Sequence, residues 1–206
     1  MPAKTDREYR ALLSPLAVGG VQKRIDSDFY VEGYATTFDS PYLLYEFDGE
    51  KYYEVIERAA FDGADLTDVI LQFDHEGRVY ARSTNRTLGI EPDTKGLFIY
   101  ADLAKTSTAR SLHEDISSGM ITRMSWSWGK KQSDDMYYDR KTKTMYWKKI
   151  RKVYDVSAVS IPANAGTEIS ARSWLDGVIE AENREAAARQ QNLEFLKKKY
   201  LLLGGY

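Results

Sequence analysis

Residues 117–129, SSGMITRMSWSWG, constrain the fold of this chain more than any other stretch. Gly119 stands where a helix would end, because glycine adopts the left-handed turn that closes a helix at little cost. From Ile121 onward the side chains alternate with the period of a β-strand, and one face is large and apolar: Met124, Trp126 and Trp128. The other face carries Ile121, Arg123, Ser125 and Ser127. A serine between tryptophans is then either small filler beside bulky neighbours or a nucleophile on a rigid strand.

The composition excludes several classes of function. A net charge of −2 gives no basic field for nucleic acid. The absence of Cys excludes disulfides and thiol nucleophiles, and with two dispersed His residues we expect no metal site. No glycine-rich phosphate loop is present, so we expect no nucleotide cofactor. The chain has no apolar run near 18 residues and no apolar signal-peptide core at its start. We therefore expect a soluble, intracellular protein without a membrane partner.

Short alternating segments predict a strand-rich domain. Strands are predicted at 29–38, 51–58, 69–75, 88–92, 96–103, 121–129, 136–139, 144–150 and 151–164. Two of these, 88–92 and 96–103, form a hairpin across the turn at 93–96, and 136–139 pairs with 144–150. Polar composition predicts loops at 39–50 and 76–87, and residues 1–24 fit either a loose arm or a first strand. On the last strand one face is shared by Val153, Asp155, Ser157 and Val159.

Two helices are predicted. Ala109, Leu112 and Ile116 recur at helical spacing, which predicts a helix over 106–118 capped by Thr106 or Ser107. The composition changes near residue 173, where SWLD fits a capping box, and a helix follows to about residue 203. We therefore divide the chain into an N-terminal arm (1–28), a β-domain (29–172) and a C-terminal helix (173–206). That helix is either a cap on the β-domain, a tether or a removable tail.

One serine, one histidine and one acid from three strands could form a hydrolytic site. Ser125 is a weak nucleophile that needs a base, and His75 as a base needs an acid such as Asp155 to hold its tautomer. Spacing alone does not establish this trio, because His75 at a strand end is also typical of a surface hydrogen-bonding residue. The order His, Ser, acid differs from the common serine hydrolases, and the missing G-x-S-x-G motif argues against an α/β-hydrolase.

Several stretches resemble, in the same order, the motifs of the prohead (capsid maturation) proteases of tailed bacteriophages, distant relatives of the herpesvirus assemblins. The stretches are VEGYATTFD (31–39), DVILQFDH (68–75), TLGIEPDTKGLFIYADL (87–103), SSGMITRMSWSW (117–128) and DVSAVSIPANAGTEI (155–169). The resemblance covers about residues 30–172. Three features differ from the family pattern: the acid is Asp155 where Glu is commoner, Ser127 stands where the family has Gly, and RVYARS (78–83) stands where the family has LGR after the histidine.

The resemblance implies an α+β, β-rich fold, a mostly antiparallel β-barrel of the assemblin type surrounded by helices, with a C-terminal helix. It implies that Ser125 is the nucleophile, His75 the base and Asp155 the third member of a serine-protease triad. Arg123 and Ser127, on the face of Ser125, are candidate contacts for the oxyanion or the substrate. No cofactor and no metal are implied.

The implied substrates are the scaffold or delta segment of the major capsid protein, and the protease itself, which could also form a homo-oligomer. The implied location is the assembling prohead in the cytoplasm of the bacterial host. Three alternatives stay open: a catalytically inactive capsid- or scaffold-binding barrel, a binding module built on the Tyr-rich hairpin at 137–147, and a small-molecule esterase with the same three residues.

Overall fold

The computed structural model describes residues 7–18, 23–47, 49–129, 132, 134–160, 184 and 187–198. These contain thirteen strands: β1 (Arg7–Pro15), β2 (Ala17–Val18), β3 (Tyr30–Thr37), β4 (Tyr42–Phe47), β5 (Glu50–Ile56), β6 (Ile70–Phe73), β7 (Glu76–Arg82), β8 (Leu88–Pro92), β9 (Gly96–Asp102), β10 (Arg123–Gly129), β11 (Met136–Asp139), β12 (Thr144–Trp147) and β13 (Val153–Val159). Helix α1 spans Ser107–Ser117, and short 3₁₀ turns span Arg58–Phe61 and Ser83–Asn85. A second helix, α2, covers 187–198.

The chain divides into two compact units, Met1–Thr167 and Glu168–Tyr206. The first unit holds three sheets with the strand orders β1-β10-β13-β6-β7, β11-β12-β5-β4 and β2-β3-β9-β8. Pairing is antiparallel except between β13 and β6 and between β12 and β5. The prediction of a β-rich, mostly antiparallel fold with a C-terminal helix is therefore confirmed. Among the described residues the sheets stay open, so the closed assemblin-type barrel remains a prediction.

The apolar face predicted for 121–129 lies in the core. Trp126 and Trp128 stack with ring centroids 4.1 Å apart, and Trp128 meets Trp147 edge-on at 5.1 Å. Phe61 lies against Trp126 at 5.7 Å. These rings are fully or almost fully buried. Aromatic side chains of this size bury much apolar area, so the cluster holds β10 in one position relative to the second sheet.

Helix α1 begins and ends where the sequence predicts. The Thr106 side chain accepts a hydrogen bond from the Ala109 N–H and caps the N-terminus. Gly119 has φ +75°, and its N–H donates to the Ile116 carbonyl. Met120 N–H reaches back to the Asp115 carbonyl, which completes a Schellman motif. The helix therefore ends at Ser117, and a short connection leads to the start of β10 at Arg123.

Two predicted loops are strands in the structure. Residues 39–50 contain β4, and residues 76–87 contain β7. Both strands lie at sheet edges, and most of their side chains are partly or fully exposed, so no buried apolar face marks them in the sequence. Residues 1–24 contain β1 and β2, the strand alternative of the two proposed there. The predicted capping box at 173–176 lies outside the described residues.

Candidate active site

Strands β10 and β13 bring four polar side chains to one face of the five-stranded sheet. Their antiparallel register pairs Ser125 with Ser157 and Ser127 with Asp155. All four residues have a relative exposure of 0%. Because side chains alternate along a strand, the aromatic face of β10 turns into the core while these residues share the opposite face. The sequence predicted this division of faces on both strands.

The histidine reaches this face from the tight turn between β6 and β7. Phe73 pairs with Glu76, so Asp74 and His75 are the two central residues of a hairpin turn. Their φ angles are 49° and 57°, and positive values at both central positions are typical of a type I′ turn. Residues other than glycine seldom adopt this conformation, and where they do it is often at a functional site.

The end of β13 holds that turn in place. Asp74 accepts hydrogen bonds from the N–H of Ser160 at 2.9 Å and from its hydroxyl at 2.7 Å. The Asp74 N–H donates to the Ala158 carbonyl at 3.0 Å. The His75 N–H meets the Ser157 hydroxyl oxygen at 3.3 Å. These bonds offset the strain of the left-handed residues and fix the imidazole above Asp155.

Ser125, His75 and Asp155 form one hydrogen-bonded chain. Ser125 Oγ lies 2.6 Å from His75 Nε2, and His75 Nδ1 lies 2.5 Å from Asp155 Oδ1. With a proton on Nδ1, the imidazole donates to Asp155 and leaves Nε2 free to accept the serine proton. This is the arrangement in which a histidine can act as a general base toward a serine.

The Asp155 carboxylate is surrounded by donors. Beyond His75, it accepts from Ser157 Oγ at 3.1 Å, from Ser127 Oγ and from Arg7 Nη1 at 3.2 Å. Burial alone would raise the pKa of Asp155, but its interactions with His75 and the hydrogen bonds from Ser127 and Ser157 outweigh burial and lower it. Asp155 is therefore held as a carboxylate at neutral pH.

Strand β1 covers Ser125. It pairs antiparallel with β10 and places Ala11 opposite Ser125. Ser125 Oγ also lies within hydrogen-bond distance, 2.9 Å, of the Arg10 carbonyl oxygen. The Tyr9 ring stands edge-on to the imidazole of His75, with centroids 4.8 Å apart. Ser125 consequently has no contact with solvent in this conformation.

The Arg10 side chain enters a buried polar pocket on the other face of β10. Its Nε and Nη2 atoms donate to Glu54 at 2.7 and 2.9 Å. Glu54 also accepts from Trp147 Nε1 at 2.6 Å and from the Tyr42 hydroxyl. The Arg10 guanidinium lies 5.2 Å from the Trp128 ring. Burial alone would lower the pKa of Arg10, but the charge of Glu54 outweighs it and raises that pKa.

Comparison with known proteins gives one family. The model of the caudovirus prohead serine protease family matches residues 20–178, which is more than half of the chain. The chain belongs to the caudovirus prohead serine protease family. No curated protein and no solved structure matches it. Family membership indicates a serine protease of phage capsid maturation, which acts inside the assembling capsid within the host.

Of the two other predicted contacts, one lies beside Asp155 and the other lies at the start of β10. Ser127 donates its hydroxyl proton to Asp155, so it lies beside the acid. Arg123 opens β10 opposite Val159 and is half-buried. Among the described residues it makes no hydrogen bond to Ser125, His75 or Asp155. A role for Arg123 at the oxyanion stays a prediction.

A small-molecule esterase would need a short apolar pocket beside Ser125. A cavity of about 740 Å³ is lined by residues that include Asp39, Val55 and Tyr146. Ser125, His75 and Asp155 do not line it.

Within the described residues, no group of three or more His, Asp or Glu side chains is placed to hold a metal ion, and no helix is long and apolar enough to cross a membrane.

Sequence reasoning missed the residues that β1 contributes. The stretch REYR (7–10) alternates, so Arg7 and Tyr9 point to one face and Arg10 to the other. This alternation could be recognised in the sequence, but it does not show that the strand pairs with β10. Ser157 was readable too, since it was predicted to share a face with Asp155.

Proposed function

We propose that the chain is an active prohead serine endopeptidase in which Ser125 is the nucleophile, His75 the general base and general acid, and Asp155 the orienting acid. The observation that carries this proposal is the continuous hydrogen-bonded chain from Ser125 Oγ through the imidazole to Asp155. The buried carboxylate with its lowered pKa supports the same roles, because it favours the imidazolium that forms during the reaction.

In this mechanism Ser125 Oγ bonds to a substrate carbonyl carbon while His75 Nε2 takes the hydroxyl proton. The peptide C–N bond then breaks, and the imidazolium gives its proton to the leaving amine. Water attacks the resulting ester in the same way and releases Ser125. The Ser127 and Ser157 hydroxyls act as positioning groups, because they hold the carboxylate toward the imidazole.

The proposed substrates are the scaffold or delta segment of the major capsid protein and the protease chain itself. Family membership supports this choice, since prohead proteases act during capsid maturation. The assemblin-type barrel and a tethering role for the C-terminal helix belong to the same proposal.

A second candidate is an inactive scaffold-binding domain of the same family. The observation that favours it is the complete burial of Ser125 beneath β1. This candidate predicts binding to the capsid protein without cleavage.

Mass spectrometry after co-expression with the cognate major capsid protein separates the two candidates. Wild type is compared with Ser125→Ala and with Ser111→Ala, which removes an exposed serine on α1. Defined capsid fragments with wild type and Ser111→Ala, and their absence with Ser125→Ala, support the protease. Fragments that persist with Ser125→Ala rule out this nucleophile. Co-purification of intact capsid protein with all three chains supports the binding domain.

A further inference from the structure

Strand β1 has the relation to β10 that a bound peptide would have. It lies at the edge of the five-stranded sheet, where β10 is its neighbour, and pairs with it from Arg7 opposite Gly129 to Leu12 opposite Met124. An extended peptide that adds to a sheet edge gains the same main-chain hydrogen bonds. Without β1, the edge of β10 beside Ser125 would be open to such a peptide.

The Arg10 carbonyl is the main-chain group of β1 that Ser125 Oγ contacts. Ser125 Oγ lies 2.9 Å from its oxygen and 2.6 Å from His75 Nε2. A serine hydroxyl has one proton, so it can donate to Arg10 or to His75 but not to both. In the described conformation β1 therefore competes with the base for the proton that catalysis must move.

The pocket for the Arg10 side chain is built from a different sheet. Tyr42, Glu54 and Trp147 lie on β4, β5 and β12, which are adjacent strands of the second sheet. The carboxylate of Glu54 stays in that sheet if β1 leaves, and Tyr42 and Trp147 continue to donate to it. An empty pocket would then present a buried, oriented carboxylate that lacks a cation.

We propose that β1 occupies the substrate site, and that the site takes an extended peptide that replaces β1 on β10 and places an arginine side chain on Glu54. The bond cut is the one that follows this arginine. The inference rests on the proposed function and adds to it the class of segment that is cleaved. Ser125 Oγ forms an ester with the arginine carbonyl carbon, His75 protonates the departing amine, and water hydrolyses the ester to a carboxylate.

The geometry favours arginine over other side chains at this position. Two parallel N–H donors meet the two carboxylate oxygens of Glu54, which a lysine ammonium cannot reproduce. A leucine would leave the carboxylate buried without a cation. Sites built around such hydrogen bonds reject analogues that lack them by large factors, so we expect a preference of at least about 100-fold for arginine over leucine.

The test uses the full chain and two synthetic peptides. REYRALLSP has the sequence of β1, and REYLALLSP differs by leucine at the fourth position. Wild type is compared with Arg10→Ala, which empties the Glu54 pocket, and with Arg10→Ala/Glu54→Gln, which removes both charges but keeps an acceptor for Tyr42 and Trp147. Mass spectrometry gives kcat/KM for each peptide and the bond cut, and circular dichroism reports folding.

We expect Arg10→Ala to cut REYRALLSP after its fourth residue at least about 100 times faster than REYLALLSP. Wild type should show the same preference at a lower rate, because its own β1 fills the site. The double variant should lose most of the preference. If Arg10→Ala does not fold, the uncharged double variant still tests the covering role of β1, since a fluorophosphonate should label its Ser125 faster than that of wild type.

Equal cleavage of the two peptides, or cleavage at another bond, would overturn the role of Glu54. Equal fluorophosphonate labelling of wild type and the double variant would overturn the covering role of β1. Labelling of Ser125 without cleavage of REYRALLSP by any variant rejects this inference and leaves the proposed protease standing. No labelling of Ser125 and no cleavage of capsid protein reject both.

Discussion

The pair of Arg10 and Glu54 allows a sharp prediction about stability. Replacing Arg10 by Met keeps a long side chain in place and removes only the charge and the donors. Arg10 is 2% exposed and Glu54 is 0% exposed, so the remaining carboxylate stays buried with Tyr42 and Trp147 as donors. Breaking a buried ion pair by removing one partner costs about 3–5 kcal/mol in the free energy of unfolding. For a chain of this length each kcal/mol lowers Tm by about 2–4 °C, so Tm should fall by about 6–20 °C.

The control is an exposed pair with the same geometry. Arg82 donates to both oxygens of Asp68 at 2.7 and 2.6 Å, but the two side chains are 37% and 41% exposed. Exposed ion pairs contribute little to stability, so Arg82→Met should lower Tm far less than Arg10→Met. Thermal melts followed by tryptophan fluorescence give Tm for both variants, and urea unfolding gives their free energies of unfolding, since three of the tryptophans are buried. Equal losses for Arg10→Met and Arg82→Met would refute the assignment of the large cost to burial.

Three further predictions concern the site and the backbone. Ser127→Ala removes a donor to Asp155 and should lower kcat about tenfold, a loss of about 1.4 kcal/mol, with KM unchanged in steady-state kinetics; an unchanged kcat would exclude a positioning role. Because the pKa of Asp155 is lowered in the folded protein, its carboxylate stabilises the fold at neutral pH. This contribution is lost as the pH falls through that pKa. The difference in unfolding free energy between wild type and Asp155→Asn should therefore shrink below about pH 4. Gly119 has φ +75° and open space around it, so Gly119→Ala should lower the free energy of unfolding by about 1–2 kcal/mol through backbone strain alone. Ala at Gly96 should cost more, about 3 kcal/mol, because its Cβ would lie 2.0 Å from the Thr36 carbonyl oxygen; thermal melts that rank these two variants the other way would contradict the steric reasoning.

The sequence predicted those structural elements that depend on residues close together in the chain. The hairpin of β8 and β9, the cap at Thr106 and the left-handed Gly119 each depend on residues a few positions apart. β4 and β7 were missed because edge strands bury little and need no apolar face. The division into three sheets, and the parallel pairs among them, depend on contacts between distant segments that no short pattern encodes.

The candidate site shows the same limit. The faces that carry Ser125 and Asp155 were readable from period-2 alternation, and the role of His75 came from resemblance to a family. The contact of Arg10 with Glu54 joins residues 44 positions apart, across two sheets, so neither residue carries a local signal. The catalytic roles of the three residues stay a prediction until Ser125→Ala is measured.

Strand β13 positions two of the three proposed catalytic groups. It carries Asp155, and its end holds the turn of His75 through Ser157, Ala158 and Ser160. A rigid displacement of β13 therefore moves acid and base together and leaves their separation nearly constant. The same displacement changes the distance from His75 to Ser125, which lies on the neighbouring strand. A distortion of this sheet should therefore change the distance between Ser125 Oγ and His75 Nε2 more than the distance between His75 Nδ1 and Asp155 Oδ1. Proton transfer from the serine should be impaired before the contact between imidazole and carboxylate is lost.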